Sequence, residues 1–531
     1  MAAALETDGR ARRGTPAYAW RRAVQLGFVI DQSRCIGCHA CTVACKSEND
    51  VPLGAFRTWV KYTEAGTFPD VRRSFAVLRC NQCTSAPCVT ICPVRALEKR
   101  DDGIVDVDPA ACIGCKACMH ACPYDALYLN DGTGTAEKCH FCAHRAEIGL
   151  APACAVVCPT EAIIPGDFDD PASVVSRLKV AERLDARKTE AGTGPNVFYK
   201  EADQAGLDPL ETSASGGFIW SQGMTGPQLD AETFHAMERK ARARTVYDVA
   251  HPPLWGFKIS VYLFAKSLAA GIFLVGALIA ATSRTGASLQ VAVPLLALIF
   301  LGVTSAVLVL DLRRPDRFWY ILTRPNLDSW LARGTFALAA YGALLSVWLL
   351  LGLLERPLPR SFAGPLALAT AAAAVVTAAY TGWLFGQACG RPLWLRRGLW
   401  LQLVVQALVA GSAALLVVHA AAPLSGGTAD ALRLTLVLAL LAQLGFMFAE
   451  ARLAPPRRKE EHDRALSLIA EGPLSRRHWR IGVLLGGVAP ILLLMIPGAA
   501  PMWVLAALFA LVGLFVEEDL LVRAGQAVPI S

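Results

Sequence analysis

Beyond residue 158 this sequence holds a single cysteine, Cys389, although the chain has 17 in 531 residues. Histidine is almost missing from the long apolar runs of the second half: of nine in the chain, only His419 falls inside one. That scarcity excludes a pair of haem groups held between helices, because each needs axial ligands, usually histidines. No secretory leader is expected either. "MAAALETDGRARRGTPAYAWRRAVQLGF" has arginine pairs but no apolar core after them and no small-residue cleavage site. The expectation is a disordered arm over residues 1–26 and a first half that stays in the cytoplasm. A reducing compartment argues against a disulfide framework, so dense cysteine there points to metal ligation. The formal charge of +7 says little, because the basic residues are unevenly placed.

What is present divides sharply. Sixteen cysteines lie between Cys35 and Cys158, and nearly all the apolar runs follow Trp255. The cysteines form four quartets: Cys35, Cys38, Cys41, Cys45; Cys80, Cys83, Cys88, Cys92; Cys112, Cys115, Cys118, Cys122; and Cys139, Cys142, Cys154, Cys158. The third, "CIGCKACMHACP", is the C-x2-C-x2-C-x3-C-P run of bacterial ferredoxins. Two-residue gaps let three thiolates converge on one cubane. The fourth cysteine starts a short helix facing away and ligates a second cluster. Sixteen thiolates at four per cubane serve four [4Fe–4S] clusters. Zinc prefers two knuckles separated by a longer stretch and does not call for a third cysteine two residues on. "CIGCH" also spells a haem c site, but the sister copy has Lys116 where the first has His39, so no axial ligand is expected there.

The segment from about Gly27 to Ile164 resembles the four-cluster electron-transfer subunit of the complex iron–sulfur molybdoenzymes, the group of dimethyl-sulfoxide and polysulfide reductases. The resemblance implies an α+β bis-ferredoxin-like domain over 27–165. It also implies interlocked ligand sets: Cys35, Cys38, Cys41 and Cys158; Cys45, Cys139, Cys142 and Cys154; Cys80, Cys83, Cys88 and Cys122; Cys92, Cys112, Cys115 and Cys118. Some relatives carry tryptophan in place of one third-quartet ligand and hold a three-iron cluster; Cys115 occupies that place here. The Cys35 set would lie nearest a catalytic subunit and the Cys92 set nearest the membrane.

Residues 166–253 read as a polar connector with one helix around Ala231 to Arg244. After it come eight apolar stretches near the ~20 residues that cross a bilayer: about 256–281, 289–310, 334–354, 363–386, 399–421, 434–453, 481–497 and 501–517. The expected second domain, 254–525, is an all-α polytopic bundle of about eight transmembrane helices. Basic residues gather in the loops on the iron–sulfur side, at Arg313, Arg314, Arg317, Arg324 and Arg333, at Arg391, Arg396 and Arg397, and from Arg457 to Arg480. The opposite loops hold Arg284, Arg356, Arg360 and Arg433. The positive-inside rule therefore puts the iron–sulfur domain on the cytoplasmic face of a bacterial inner membrane.

Polar residues inside spans are functional candidates by default. Lys266, Tyr262, Tyr341, Tyr380, Gln402, Gln406, Gln443 and His419 are embedded, with Asp311 and Glu450 near span ends. "PPLWGFKISVYLFAKSLAAG", "DLRRPDRFWYILTRPNLDSWLARG" and "GPLSRRHWRIGVLLGGVAPILLL" resemble the haem-free NrfD/polysulfide-reductase anchor, which implies a quinone site on the face that meets the iron–sulfur subunit. The candidates there are Trp255, Lys258, Tyr262, Lys266, Asp311, Trp330, Gln387 and Glu450. The expected protein is a fused electron-transfer and membrane-anchor subunit. It would run from a separate molybdopterin-type catalytic subunit to membrane quinone, menaquinone or ubiquinone, without haem and without a nucleic-acid partner. Two rivals are an ion-translocating redox complex, with Lys266, Asp311 and Glu450 along a proton path, and a zinc-bearing membrane scaffold.

Overall fold

The structure is a computed structural model that describes residues 24–214, 241–249, 253–282, 287–354, 360–422, 428–496 and 500–531. The expected N-terminal arm therefore lies almost wholly outside the described residues, as does His251.

The cysteine-rich half is built on two four-stranded sheets. In one, Leu26–Asp31 lies between Ile163–Asp167, antiparallel to it, and Val197–Lys200, parallel to it, with Leu184–Asp185 at the edge. In the other, the hairpin Thr58–Thr67 and Asp70–Arg79 continues through Ala243–Tyr247 to Thr212–Ala214. Two short hairpins, Leu97–Lys99 with Val105–Val107 and Leu127–Asn130 with Thr135–Lys138, follow the second and third quartets.

This arrangement corrects the reading of 166–253 as a connector. Four of its segments are strands in these sheets. Of the helix expected over Ala231 to Arg244, only the last residues are described, and there Ala243–Tyr247 is a strand. Its "ARTVY" sequence has the β-branched and aromatic side chains that suit a pleated, half-buried surface. Single short strands like these pack against partners far away in sequence and show no period of their own.

The two "CIGC" copies adopt one backbone course. Gly37 and Gly114 have φ of 71° and 67°, and His39 and Lys116, two residues on, have 59° and 66°. Each left-handed pair turns the chain into the helices Ala40–Glu48 and Ala117–Ala121. A side chain at Gly37 would strike the Phe75 ring, its Cβ 2.6 Å away.

Among the described residues, eight helices have the length and apolarity to cross a membrane, from Phe257–Ala280 to Ala500–Ala527. The last is longer than the expected 501–517 and takes in Glu518 and Asp519. One continuous core joins the second and third quartets to the bundle, from Cys80, Cys92 and Cys118 to Leu263 and Tyr341. The first and fourth quartets sit against a separate core around Phe28, Trp59 and Tyr199.

The halves meet through hydrogen bonds. Arg313 and Arg314 donate backbone N–H to the carbonyls of Gly114 and Ile113, at 3.3 and 3.2 Å. Asn326 Nδ2 donates to Cys92 O at 2.8 Å and Ser329 Oγ to Ile91 O at 2.6 Å. Lys116 Nζ pairs with Asp311 Oδ2 at 2.9 Å, both side chains largely buried. Removing one member of a buried pair leaves an uncompensated charge. Asp311→Asn should therefore destabilise the contact by roughly 3 kcal/mol, read as a lower thermal midpoint of the detergent-solubilised protein, whereas the exposed Arg313→Gln should barely move it.

Candidate functional site

The four cysteine sets come together as spatial groups. Cys35, Cys38, Cys41 and Cys158 line one space. Cys45, Cys139, Cys142 and Cys154 line a second. Cys83 and Cys88 each feel the charges of Cys80 and Cys122. Cys118 feels Cys115, Cys112 and Cys92 most. The sets also touch in sequence. Cys41 of the first feels Cys154 of the second, Cys80 of the third feels Cys139 of the second, and Cys118 of the fourth feels Cys88 of the third. The order is linear. Cys38, in the first set, is exposed, and the fourth set lies against the membrane loops.

The donor chemistry fits iron–sulfur clusters. Burial pushes the Cys41 thiol up to about 11 and those of Cys115 and Cys122 to about 12. Bare thiolates are disfavoured in such surroundings, and a metal centre supplies the positive charge that displaces the proton. Cys158 is the exception. Burial would raise it, but the Ala162 N–H, 3.3 Å from its sulfur, and the Thr160 hydroxyl hold it below the ordinary value. Ala96 and Ala136 donate backbone N–H to Cys92 and Cys112 in the same way, at 3.2 and 3.4 Å. Among the described residues no three His, Cys, Asp or Glu side chains close on a point suited to a single ion. The thiols are instead grouped in fours, the ligand number of a [4Fe–4S] cluster. His39 packs its ring on Tyr62 and Tyr247, at 5.4 and 5.0 Å between centroids.

The expected quinone residues do not share one cavity. Trp255 is buried, its ring 4.1 Å from His120 and stacked near Trp394 and Phe385. Lys258 Nζ donates to Leu310 O at 2.9 Å. Tyr262 bonds the hydroxyls of Tyr380 and Thr381, and Lys266 Nζ donates to Ala378 O at 2.7 Å. Asp311 is taken by Lys116. Glu450 is paired with Arg396. Of the eight, only Trp330 and Gln387 face a common cleft, of about 340 Å³, with Trp383, Trp394, Arg396 and Trp400. Trp330 and Trp383 are 4.5 Å apart, and Gln387 Oε1 accepts from the Trp330 N–H at 2.8 Å. Trp394 also lies 5.2 Å from His120. Burial and the charges of Arg391 and Lys116 hold His120 far below the ordinary imidazole range, so it is neutral and accepts at Nδ1 from Arg391 Nε at 3.3 Å.

Several residues of consequence escaped the sequence reading. Glu517, Glu518 and Asp519 lie within the last membrane helix. They bond His478 at 3.0 Å, Ser267 at 2.8 Å and Ser260 at 2.9 Å. A run of acids at the end of an apolar stretch reads as a span boundary, which hid them. Trp383 and Trp400 lie on successive membrane helices and Arg396 in the loop between them, and only the packing of those helices against Trp330 assembles the cleft.

Comparison with known proteins agrees with this division. The family described as "Polysulphide reductase, NrfD" matches residues 245–530, more than half the chain. A 4Fe-4S dicluster domain matches residues 71–168 and a 4Fe-4S binding domain residues 26–47. The first half is similar to a subunit of the tetrathionate reductase of Salmonella typhimurium, 46% identical over 190 residues, covering 35% of this chain and 76% of that protein. It is similar to an iron-sulfur subunit assigned to dimethyl sulfoxide reductase in Halobacterium salinarum, 42% identical over 260 residues, 43% of this chain and 95% of that one. A polypeptide of the polysulfide reductase of Wolinella succinogenes is 38% identical over 189 residues, 35% of this chain and 99% of its own length.

Cys115→Ser tests the fourth set. It should remove about one iron per chain and give the air-oxidised protein a paramagnetic signal, since intact oxidised cubanes have none. Metal analysis and electron paramagnetic resonance (EPR) measure both.

Proposed function

Because this chain belongs to the NrfD polysulphide-reductase family, we propose that it is the fused electron-transfer and membrane-anchor subunit of a quinone-linked oxidoreductase. The observation that carries this is the linear order of four cysteine sets, from an exposed one at Cys38 to one bonded to the membrane loops, next to an aromatic cleft. Four [4Fe–4S] clusters, when bound, supply one-electron carriers. The chain's own part is to space them, exclude water and hold them against the bundle. The ligand sets are those the family resemblance implies, with Cys158 completing the first and Cys122 the third. The domains are 27–165 for the clusters, supported by the sheets to which 166–253 contributes, and 254–525 for the membrane.

Quinone fits the cleft of Trp330, Trp383, Trp400 and Gln387. Its volume is within the ~300–1,000 Å³ of small-molecule sites, and it combines aromatic walls with few polar groups. Oxidation of a quinol there releases two electrons to the clusters and two protons to solvent; reduction runs the reverse. The catalytic partner, of molybdopterin type, docks near Cys38, where Ile36, Val43 and Val156 leave an exposed apolar rim. The iron–sulfur domain faces the cytoplasm.

A second reading, ion translocation, is favoured by one observation. Lys266 and Glu518, each about 13 Å along its helix from the iron–sulfur end by helical rise, are fully buried and feel each other's charge. A Glu518→Gln variant that leaves quinone turnover intact but abolishes acidification by proteoliposomes would support it; no acidification by the parent protein rules it out.

For the main reading, a reduced menaquinol analogue should bleach the ~400 nm band of the purified protein. Trp383→Leu should slow that bleaching at least tenfold while dithionite still reduces it fully. A parent protein that quinol cannot reduce, and whose reduced form quinone cannot oxidise, would sink the proposal.

A further inference from the structure

Arg79 ends the strand Asp70–Arg79, directly before Cys80, and its side chain is completely buried. Nη1 donates to Cys154 Sγ at 3.2 Å, and the guanidinium lies 4.4 Å over the Phe28 ring. Its Nε and Nη2 have no partner among the described residues. A sealed cation with idle donors is strongly unfavourable unless something accepts those bonds. Arg79 lines the same space as Cys45, Cys139, Cys142 and Cys154. Its charge is felt by Cys154 and Cys139 of the second set and by Cys41 of the first.

The other buried cations near cysteines differ. Lys138 acts on the Cys80 thiol too, but its ammonium is also bonded to the carbonyls of Val105 and Cys139. Lys116 is neutralised by Asp311. Arg79 alone of these three combines a bond to a ligand sulfur with unpartnered donors facing a cluster space.

We infer that Arg79 is the potential-setting residue of the centre held by Cys45, Cys139, Cys142 and Cys154, its idle N–H groups bonding that cluster's sulfides. One-electron reduction adds one negative charge to a cluster, and a fixed buried cation favours the more negative state. Hydrogen bonds to the sulfurs act in the same direction. The potential of the second position in the chain of carriers is thereby raised above what its cysteines alone would set. The inference stands on the four-cluster reading above.

The test is an EPR-monitored redox titration of the full chain in detergent, with iron content measured alongside. The centre is identified by its loss in Cys142→Ser. Arg79→Gln should keep its iron and shift that centre's equilibrium at least tenfold toward the oxidised form, a fall of about 59 mV for one electron. The other centres should move less than threefold. Arg79→Lys, which keeps the charge, should shift it less than Arg79→Gln does. Unchanged titrations in an iron-replete Arg79→Gln protein overturn the inference. If Arg79→Gln loses the cluster, Arg79→Lys decides. Retention with a potential within threefold of the parent supports the electrostatic role, and loss of the cluster in that variant too reduces Arg79 to packing and overturns it. Absence of iron from the parent protein would instead fail the four-cluster reading, a result that metal analysis separates from any shift in potential.

Discussion

Backbone carbonyls around the cysteines of the fourth set have to be paired, because they are buried between two halves that both exclude water. The loops between the spans do this. Asn326 and Ser329 cover Cys92 and Ile91, Arg317 reaches the carbonyls of Pro109 and Cys112, and the Gly390 N–H bonds His120 O at 2.9 Å. Each contact is between groups of fixed position, so the cluster end of one half is held in register with the helix ends of the other. The aromatic group of His120, Trp255, Phe385 and Trp394 fills the space between them. Distances between carriers, and from the last carrier to the cleft, depend on this joint.

The same joint changes the meaning of the basic loops. Arg313, Arg314 and Arg317 count toward the charge asymmetry that orients a membrane protein. They also bond the iron–sulfur domain directly, through Gly114, Ile113 and Cys112. The bonds of Arg313 and Arg314 to Ile113 and Gly114 are backbone bonds, but the guanidinium groups of Arg317 and Arg314 also reach the carbonyls of Cys112, Pro109 and Thr133, so part of the basic charge on that side serves domain docking. The charge asymmetry is correspondingly less independent as a witness to which side of the membrane this is.

The cysteine quartets were legible because ligand spacing is local: a two-residue gap means the same thing wherever it occurs, whereas the way the quartets interlock came from the family resemblance alone. Spans were legible because apolar length is local too. The strands at Val197–Lys200 and Ala243–Tyr247 were not, since their partners, Leu26–Asp31 and Thr58–Thr67, are far away in sequence. Arg79 reads as the ordinary end of a strand until Cys154 is brought to it. Glu518 reads as the end of a helix until Ser267 accounts for it. Lys266 and Tyr262 were correctly singled out as embedded, but each is bonded to the fourth membrane helix rather than to the cleft.

The last residues of the chain return to the first domain. Ile530 is buried, its carbonyl accepting from Arg187 at 3.3 Å, and the Ser531 carbonyl accepts from Lys61 at 3.2 Å. Lys61 is thus joined to a residue 470 positions downstream. During synthesis the N-terminal half emerges first and begins to fold first, yet this contact cannot form until the eighth membrane helix has been made. The bonds of Lys61 and Arg187 to residues 531 and 530 therefore belong to a late stage of folding, after the residues of the last membrane helix, Ala500–Ala527, have been synthesised.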